Sequence, residues 1–225
     1  MIVSIHQSQY LPWPAFYRKI AQSDIFVVMD DVQYQKNGVQ NRNKVRNKSG
    51  DFWLTIPVSG SLDDMIKDKK IADKKWKKKH FQSLSQAYAK APYWSDYSDF
   101  FQDLYQSDIC LLHEVNNAFM TYILEQLDIK TKMVLMSEIE CQGEKSALVM
   151  DICSTLGATT YLSGTGSKAY LNEAEFLEKG IQIEYMESVN PEYTQVHGEF
   201  IPDLSILDML FNVDKETVKD YLLKR

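Results

Sequence analysis

Two short polar segments carry the side chains best suited to chemistry. The first, HQSQYLPW, begins at His6 and follows a short apolar run. A histidine followed by a polar turn and a helix N-terminus can meet an anion with ring and backbone N–H donors together. The alternative is a histidine that only caps the turn. Tyr10 and Trp13 fit the wall of a site for a ring-shaped ligand, although the two prolines beside Trp13 favour packing in the core.

The second segment, Ser163–Lys168 (SGTGSK), joins a predicted strand to a predicted helix. Its glycines allow close approach to the backbone, and successive N–H groups can form an anion-binding nest. The spacing differs from that of a Walker A loop, so it indicates an anionic group rather than a specific nucleotide. A plain glycine turn is the alternative.

Two further segments contain polar groups at the ends of predicted elements. Asp30 and Asp31 end a strand, and adjacent strand residues point to opposite faces, so they cannot form a close acid–base pair by themselves. One of them fits a Mg²⁺ ion or a ligand amine, while capping of the following turn is the favoured interpretation. Tyr193 and His197 are suited to donate hydrogen bonds to a ligand. The segment after them, however, chiefly predicts a closing amphipathic helix.

The sequence alternates between strand and helix patterns, and the predicted elements position these segments. Strands are predicted from short β-branched or aromatic runs, and helices from apolar residues at helical spacing. The predicted strands are Ile2–Ile5, Asp24–Asp30, Phe52–Val58, Met133–Met136, Thr159–Leu162 and Ile181–Met186. The predicted helical segments are Leu11–Ala21, Trp76–Leu127, Glu144–Leu156, Glu173–Lys179, Leu204–Phe211 and Lys215–Leu223.

This alternation predicts an α/β fold, a mainly parallel sheet of about five or six strands flanked by helices. A helical insertion interrupts it in the middle of the chain. We expect a single domain over residues 1–225, with a helical subdomain at approximately 76–127. Ligands in such sheets bind outside the carboxyl ends of the strands. That rule selects His6-Gln7, Asp30-Asp31 and Ser163–Lys168.

Composition excludes several classes of protein. The chain has 225 residues, 44% of them hydrophobic, and a formal net charge of −6. No apolar run approaches the ~18 residues of a membrane span, and the first residues lack the basic start of a signal peptide. Three widely spaced cysteines and four scattered histidines predict neither a disulfide framework nor a metal site. We therefore expect a cytoplasmic enzyme or binding protein.

The average charge conceals a basic segment. Between Lys36 and Lys79 there are thirteen Lys or Arg residues against five Asp, a local charge of +8, while the remaining residues sum to −14. Such segregation favours an anionic partner. Arg and Asn alternate in Asn41–Lys48, and those side chains suit phosphate or carboxylate. For the run Lys67–Lys79 the alternative, a solvated face without a partner, is favoured.

The ordered combination of motifs resembles the WbqC-like protein family over nearly the whole chain. The likeness opens with HQSQYLPWPAFYRKIAQSDIFVVMDDVQYQKNGVQNRNKV and continues through WLTIPV, WKKKH, YLSGTGSKAYL, PEYTQ and LSILDMLFN. Ser8, Ala15 and Val213 depart from the usual pattern, and Ser8 replaces a proline beside His6. The positions that match the family are His6, Gln7, Tyr10, Trp13, Lys19, Asp30, Asn41, Arg42, Asn43, Ser163, Gly164, Gly166, Tyr170 and Tyr193.

The resemblance implies a role in bacterial surface-polysaccharide biosynthesis, including O-antigen, with transfer of an amino acid such as glycine to an amino sugar. The layout is also similar to that of HIGH-motif nucleotidyltransferases and ligases, although the His-x-Gly-His signature is absent. In this hypothesis ATP, with Mg²⁺, adenylates the amino acid, and His6, Asp30 and Arg42 are catalytic. The other matching positions bind a nucleotide or nucleotide-sugar. Two alternatives remain: an aminoacyl-tRNA docked on the basic segment as donor, and a non-catalytic nucleotide-sugar-binding or scaffold protein.

Overall fold

A five-stranded parallel sheet forms the centre of the protein. The computed structural model describes residues 1–189 and 191–224. The strands are β1 (Ile2–Gln7), β2 (Ile25–Met29), β3 (Arg42–Asn47), β4 (Gly50–Thr55), β5 (Val58–Ser59), β6 (Lys70–Ile71), β7 (Lys132–Leu135), β8 (Thr160–Gly164) and β9 (Gln182–Met186). The helices are α1 (Pro14–Ala21), α2 (Lys75–Tyr88), α3 (Ser98–Gln106), α4 (Leu112–Gln126), α5 (Lys145–Thr155), α6 (Glu173–Glu178), α7 (Ile206–Asn212) and α8 (Lys215–Leu223).

The strand order of the sheet is β7-β2-β1-β8-β9, and every neighbouring pair is parallel. The chain runs outward from β1 through β2 to β7, then returns to the other side of β1 for β8 and β9. The direction of winding therefore reverses between β1 and β8. Ligands bind at such a switch point in open α/β sheets. The predicted fold class is confirmed.

The two faces of the sheet carry separate apolar cores. Side chains alternate between the faces, so Val3 and Val27 pack with α5 and α6, whereas Phe26 and Val28 pack with α1 and the other helices. Both faces are covered, which is why the central strands are almost continuously apolar. His6 shares its face with Ser4 and lies against Phe16 of α1.

Helix α1 begins at Pro14, three residues later than predicted. Leu11 has a φ of 47°, in the left-handed region, so the turn cannot be helical there. Pro14 occupies the first helical turn, where its missing N–H costs nothing. The helical segment predicted at Trp76–Leu127 consists of α2, α3 and α4. A separate helical subdomain there stays a prediction.

A β-hairpin outside the main sheet was not predicted as such. Strands β3 and β4 pair antiparallel with each other, so the predicted strand at Phe52–Val58 belongs mostly to this hairpin. Its first strand has the alternating burial of a strand, but Asn43 is one of the inward residues. A polar residue at an inward position hides the period-two apolar pattern. Among the described residues, no helix has the length and apolarity that crossing a membrane requires.

Candidate functional site

A pocket of about 840 Å³ opens at the carboxyl ends of β1 and β8. This is the switch point of the sheet, where the chemistry-bearing segments at His6 and Ser163–Lys168 meet from two sides. One wall comes from the end of β1 and from α1, and the other from the loop after β8. The predicted site residues that line the pocket are His6, Gln7, Trp13, Lys19, Ser163, Gly164, Gly166 and Tyr170.

His6 is a neutral imidazole held among aromatic rings. The Trp13 and Phe16 rings meet it edge-on, with centroids 6.2 and 5.1 Å away. Burial, with a smaller contribution from the charge of Lys19, lowers the pKa of His6 to about 3. The ring therefore offers one donor and one acceptor at neutral pH.

We assign the proton of that imidazole to Nδ1. This nitrogen is 3.2 Å from the carbonyl oxygen of Gln7, and a carbonyl can only accept. The Gln9 amide lies 3.2 Å from the same nitrogen, and its Oε1 is buried without another partner among the described residues. The amide oxygen and nitrogen are assigned by their partners. Turning the amide lets Oε1 accept from Nδ1–H and moves the amide NH2 to the buried position that has no partner among the described residues. Nε2 of His6 then has no hydrogen-bond partner among the described residues and can accept a hydrogen bond from a ligand.

Lys19 is buried beneath the same wall. Its Nζ donates a hydrogen bond of 2.9 Å to the carbonyl oxygen of Ile5 and lies 5.9 Å from the centre of the Phe26 ring. Burial lowers the pKa of this amine to about 7. Within the described parts of the chain it forms no ion pair with a carboxylate.

The loop after β8 presents backbone and hydroxyl groups. The Ser163 and Ser167 hydroxyls are 2.6 Å apart, and Ser167 donates to the carbonyl oxygen of Gly164. A Cβ added at Gly164 or Gly166 would meet no atom within 4 Å, and neither glycine has a positive φ. The packing of the protein therefore does not require glycine at these positions. Close approach of a ligand to the backbone would require it.

The charged residues that line the pocket are all basic. Two lysines, Lys19 and Lys145, line the pocket, and none of its described lining residues is Asp or Glu. The chain as a whole contains 31 acidic residues and has a net charge of −6. A cavity without carboxylates in an acidic protein suits an anionic ligand.

Three predicted residues lie behind the pocket in the core. Asn43 donates a 2.7 Å hydrogen bond from Nδ2 to the carbonyl oxygen of Leu11, the residue in the left-handed conformation. The Tyr10 hydroxyl lies 2.9 Å from His80 Nδ1, deep in the core. Asn41 donates to the carbonyl oxygen of Ile56. These side chains are buried and do not line the pocket, and their role in ligand binding stays a prediction.

Further polar residues, which the sequence did not single out, hold the end of β1. Gln40 donates from Nε2 to Gln7 Oε1 over 2.9 Å. Asn116 donates to the Ser8 hydroxyl and to the carbonyl oxygen of Gln40, both over 3.0 Å. Ser8, where the family has proline, thus supplies an acceptor that proline lacks. Spacing along the chain gives no signal for these contacts, because Asn116 is 108 residues from Ser8.

Asp30 and Arg42 lie outside the pocket lining. The buried Asp30 carboxylate accepts hydrogen bonds from Ser137 N and Oγ, over 2.9 and 2.6 Å. The Arg42 guanidinium lies 4.4 Å from the centre of the Trp53 ring on the hairpin. The catalytic roles predicted for both stay predictions.

Tyr193 is part of a buried polar cluster. Its hydroxyl donates to Asp208 Oδ1 over 2.9 Å, and the Tyr88 hydroxyl donates to Oδ2 over 2.7 Å. Burial raises the pKa of Asp208 above its usual range, although the two hydroxyls oppose that shift. This arrangement joins the C-terminal helices to α2. Its connection with a ligand is untested.

Lysines of the basic segment are partly neutralised by local ion pairs. The pairs with N–O distances below 4.0 Å are Lys44–Asp51, Lys67–Asp31, Lys69–Asp64 and Lys74–Asp108. The Asp31 carboxylate is thereby occupied by a lysine. Among the described residues, no group of three or more His, Cys, Asp or Glu side chains is arranged to hold a metal ion.

The doubly wound sheet, with a pocket at its switch point, defines an α/β protein. The chain belongs to the WbqC-like protein family, whose model matches residues 7–220. It is 32% identical over 224 residues to the uncharacterized protein Rv1507c of Mycobacterium tuberculosis, an alignment that covers 98% of this chain and 96% of the relative. No solved structure matches the chain.

Proposed function

We propose that the pocket binds an anionic, ring-bearing small molecule, a nucleotide or nucleotide-sugar, in bacterial surface-polysaccharide (O-antigen) biosynthesis. The observation that carries the proposal is the lining: aromatic rings, neutral hydrogen-bonding groups and basic groups, without a carboxylate among the described residues. Its volume of about 840 Å³ falls within the roughly 300–1,000 Å³ of small-molecule sites.

The reaction we propose joins an amino acid such as glycine to the amino group of a sugar. A carboxylate oxygen of the amino acid attacks the α-phosphorus of ATP, and pyrophosphate leaves with the electrons of the broken P–O bond. The sugar amine then attacks the acyl carbon, AMP leaves, and the new amide gives up one proton. A donor activated beforehand, such as an aminoacyl-tRNA, makes the first step unnecessary. Mg²⁺ accompanying ATP would be held by the phosphates, since the lining offers no carboxylate.

In this proposal His6 receives a hydrogen bond from the attacking amine at its free Nε2. A pKa of about 3 makes the ligand-free imidazole a weak base. A negative charge of the bound substrate beside the ring would raise that pKa. Gln9 positions the ring by fixing the proton on Nδ1, and the open backbone at Gly164 and Gly166 receives the phosphates.

One observation favours a second candidate, a non-catalytic nucleotide-sugar-binding or scaffold protein. General bases work best when their pKa lies near the operating pH, and the pKa of His6 lies far below it. The described lining contains no carboxylate that would replace His6 in this role. A protein that only binds its ligand needs no such group.

Exchange of labelled pyrophosphate into ATP tests the ligase version directly. We expect exchange that depends on one amino acid and is lost in His6→Ala, while the control His113→Ala, outside the pocket, keeps it. Absence of exchange with every common amino acid overturns activation by ATP. Transfer that disappears after ribonuclease treatment supports aminoacyl-tRNA as the donor.

Glycan composition in cells separates catalysis from a scaffold role. The proposal expects that deletion of the protein and the His6→Ala and Arg42→Ala variants, expressed at normal level, all alter the glycan. If deletion alters it and both variants leave it unchanged, the scaffold function is supported instead.

A further inference from the structure

The strongest unexplained feature of the pocket is the ammonium of Lys19. The residue is only 5% exposed, although lysine is almost never fully buried without a partner of opposite charge. Its one hydrogen-bond partner among the described residues is the carbonyl oxygen of Ile5, at 2.9 Å. A buried cation satisfied by one carbonyl is costly to the fold, so an apolar residue would be expected here if packing were the only requirement.

The surroundings of Lys19 do not supply the missing negative charge. His6 on β1 is neutral and, when protonated, would repel the ammonium. Phe26 on β2 offers only a ring face at 5.9 Å. Across the pocket, α5 contributes Lys145 and the β8 side contributes Tyr161 and Tyr170. Both tyrosine hydroxyls are neutral at pH 7, and burial raises their pKa values further.

Lys19 also lines the 840 Å³ pocket, and the carbonyl oxygen of Ile5 takes one of the hydrogen bonds that its amine can donate. Lysine has three N–H donors, and one is used within the described residues. The pocket is therefore lined by a buried lysine with unused donors, and none of its described lining residues is Asp or Glu.

We infer that Lys19 is the anion-binding group of the pocket: an oxyanion of the ligand lies on its ammonium. The inference deepens the proposed function and rests on the pocket being the ligand site. The oxyanion is either a carboxylate, as in an amino acid, or a tetrahedral group, as in a phosphate.

Proton uptake follows from the two states of the amine. Without a ligand, burial lowers the pKa of Lys19 to about 7, so half of the molecules have lost this proton at pH 7. An anion at contact distance raises the pKa again. Affinity is then nearly constant below pH 7 and falls about tenfold per pH unit above it, or about 50-fold between pH 7 and pH 9.

The test is a titration with two small anions whose own charge does not change between pH 6 and pH 9. Acetate stands for a ligand with a carboxylate, and sulfate stands for a ligand with a tetrahedral oxyanion such as phosphate. Binding is followed by NMR through the indole N–H of Trp13, which lines the same pocket. We expect one of the two anions to bind with the dissociation constant rising about 50-fold from pH 7 to pH 9.

The Lys19→Met variant keeps the length of the side chain and removes the charge. We expect binding at pH 6 to be weakened at least about tenfold and the remaining pH dependence to disappear. Lys179→Met, exposed after α6 and outside the pocket lining, is the matched control and should keep the wild-type affinity and pH profile. The wild-type profile is informative by itself if Lys19→Met does not fold.

Three results would overturn the inference. A dissociation constant that is flat from pH 7 to pH 9 would show that binding takes up no proton here. A dissociation constant that rises only between pH 6 and pH 7 would assign the anion to His6, whose pKa is about 3 without a ligand. Unchanged binding by Lys19→Met would show that the anion binds at another group. Because the titration uses neither ATP nor an acceptor sugar, failure of the ligase reaction leaves this test unaffected.

Discussion

Substitution of Asn43 by alanine tests whether the buried amides behind the first wall of the pocket hold it in place. Asn43 Nδ2 donates over 2.7 Å to the carbonyl oxygen of Leu11, and its Oδ1 accepts from the backbone N–H of Lys44. Leu11 has a φ of 47°, a conformation that costs a non-glycine residue about 1–2 kcal/mol. The amide hydrogen bond is thus part of what keeps the turn in a strained conformation.

Removal of the amide leaves the Leu11 carbonyl buried and unpaired, which costs about 1–3 kcal/mol. We expect Asn43→Ala to lower the free energy of unfolding by about 2 kcal/mol in urea denaturation. For a chain of this length that corresponds to a fall in Tm of about 4–8 °C. The turn carries Trp13 into the pocket, so ligand affinity should fall as well.

Asn47→Ala, at the other end of the same strand, is the matched control. Its Oδ1 accepts only from the Ser49 N–H, in an exposed turn, so we expect a loss below about 1 kcal/mol. If Asn43→Ala is no less stable than Asn47→Ala, the reasoning that the Asn43 amide supports the strained turn is wrong.

Two further substitutions test the buried carboxylates. Tyr193→Phe removes one of the two hydroxyls that donate to Asp208, and should lower stability by about 1–2 kcal/mol in urea; unchanged stability would contradict a structural role for that contact. Ser137→Ala removes the Oγ donor to Asp30 and keeps the backbone donor, so we expect a loss of about 1–2 kcal/mol. A loss of ligand affinity without a loss of stability would instead support the predicted catalytic role of Asp30.

The sheet and the position of the pocket could be predicted from the sequence because both depend on local patterns. β1, β2 and β8 are short apolar runs, and polar segments follow directly at their carboxyl ends. The rule for ligand sites in parallel sheets then brings His6 and Ser163–Lys168 together, and the structure places both at one pocket.

The hairpin and the supporting amides could not be predicted in this way. The inward side of β3 includes a polar residue, Asn43, whose partner is a backbone carbonyl 32 residues away. Asn116 reaches Ser8 across 108 residues, a contact that depends on how α4 packs. Long-range hydrogen bonds of this kind leave no periodic signal in a single sequence.

In the basic segment, the net charge counted from the sequence overstates the number of lysines that are free to bind an anion. Its excess of +8 favoured an anionic partner, although for Lys67–Lys79 a solvated face was the favoured interpretation. In the structure Lys44, Lys67 and Lys74 form ion pairs with nearby carboxylates. The carboxylate-free lining of the pocket, drawn from residues far apart in the chain, gives a more specific reason to expect an anionic ligand.

Calorimetric titration with ATP and with UDP-N-acetylglucosamine tests the central claim, that the pocket binds an anionic nucleotide-type ligand. The informative variant is Gly166→Leu, because a side chain there would extend into open space without disturbing the core. Ala89→Leu, exposed at the end of α2, is the control for the added side chain. We predict that wild type and Ala89→Leu bind one of these ligands alike and that Gly166→Leu binds at least about tenfold more weakly, a difference of about 1.4 kcal/mol. Equal affinity in Gly166→Leu, or no binding of either ligand by the wild type, would contradict the account.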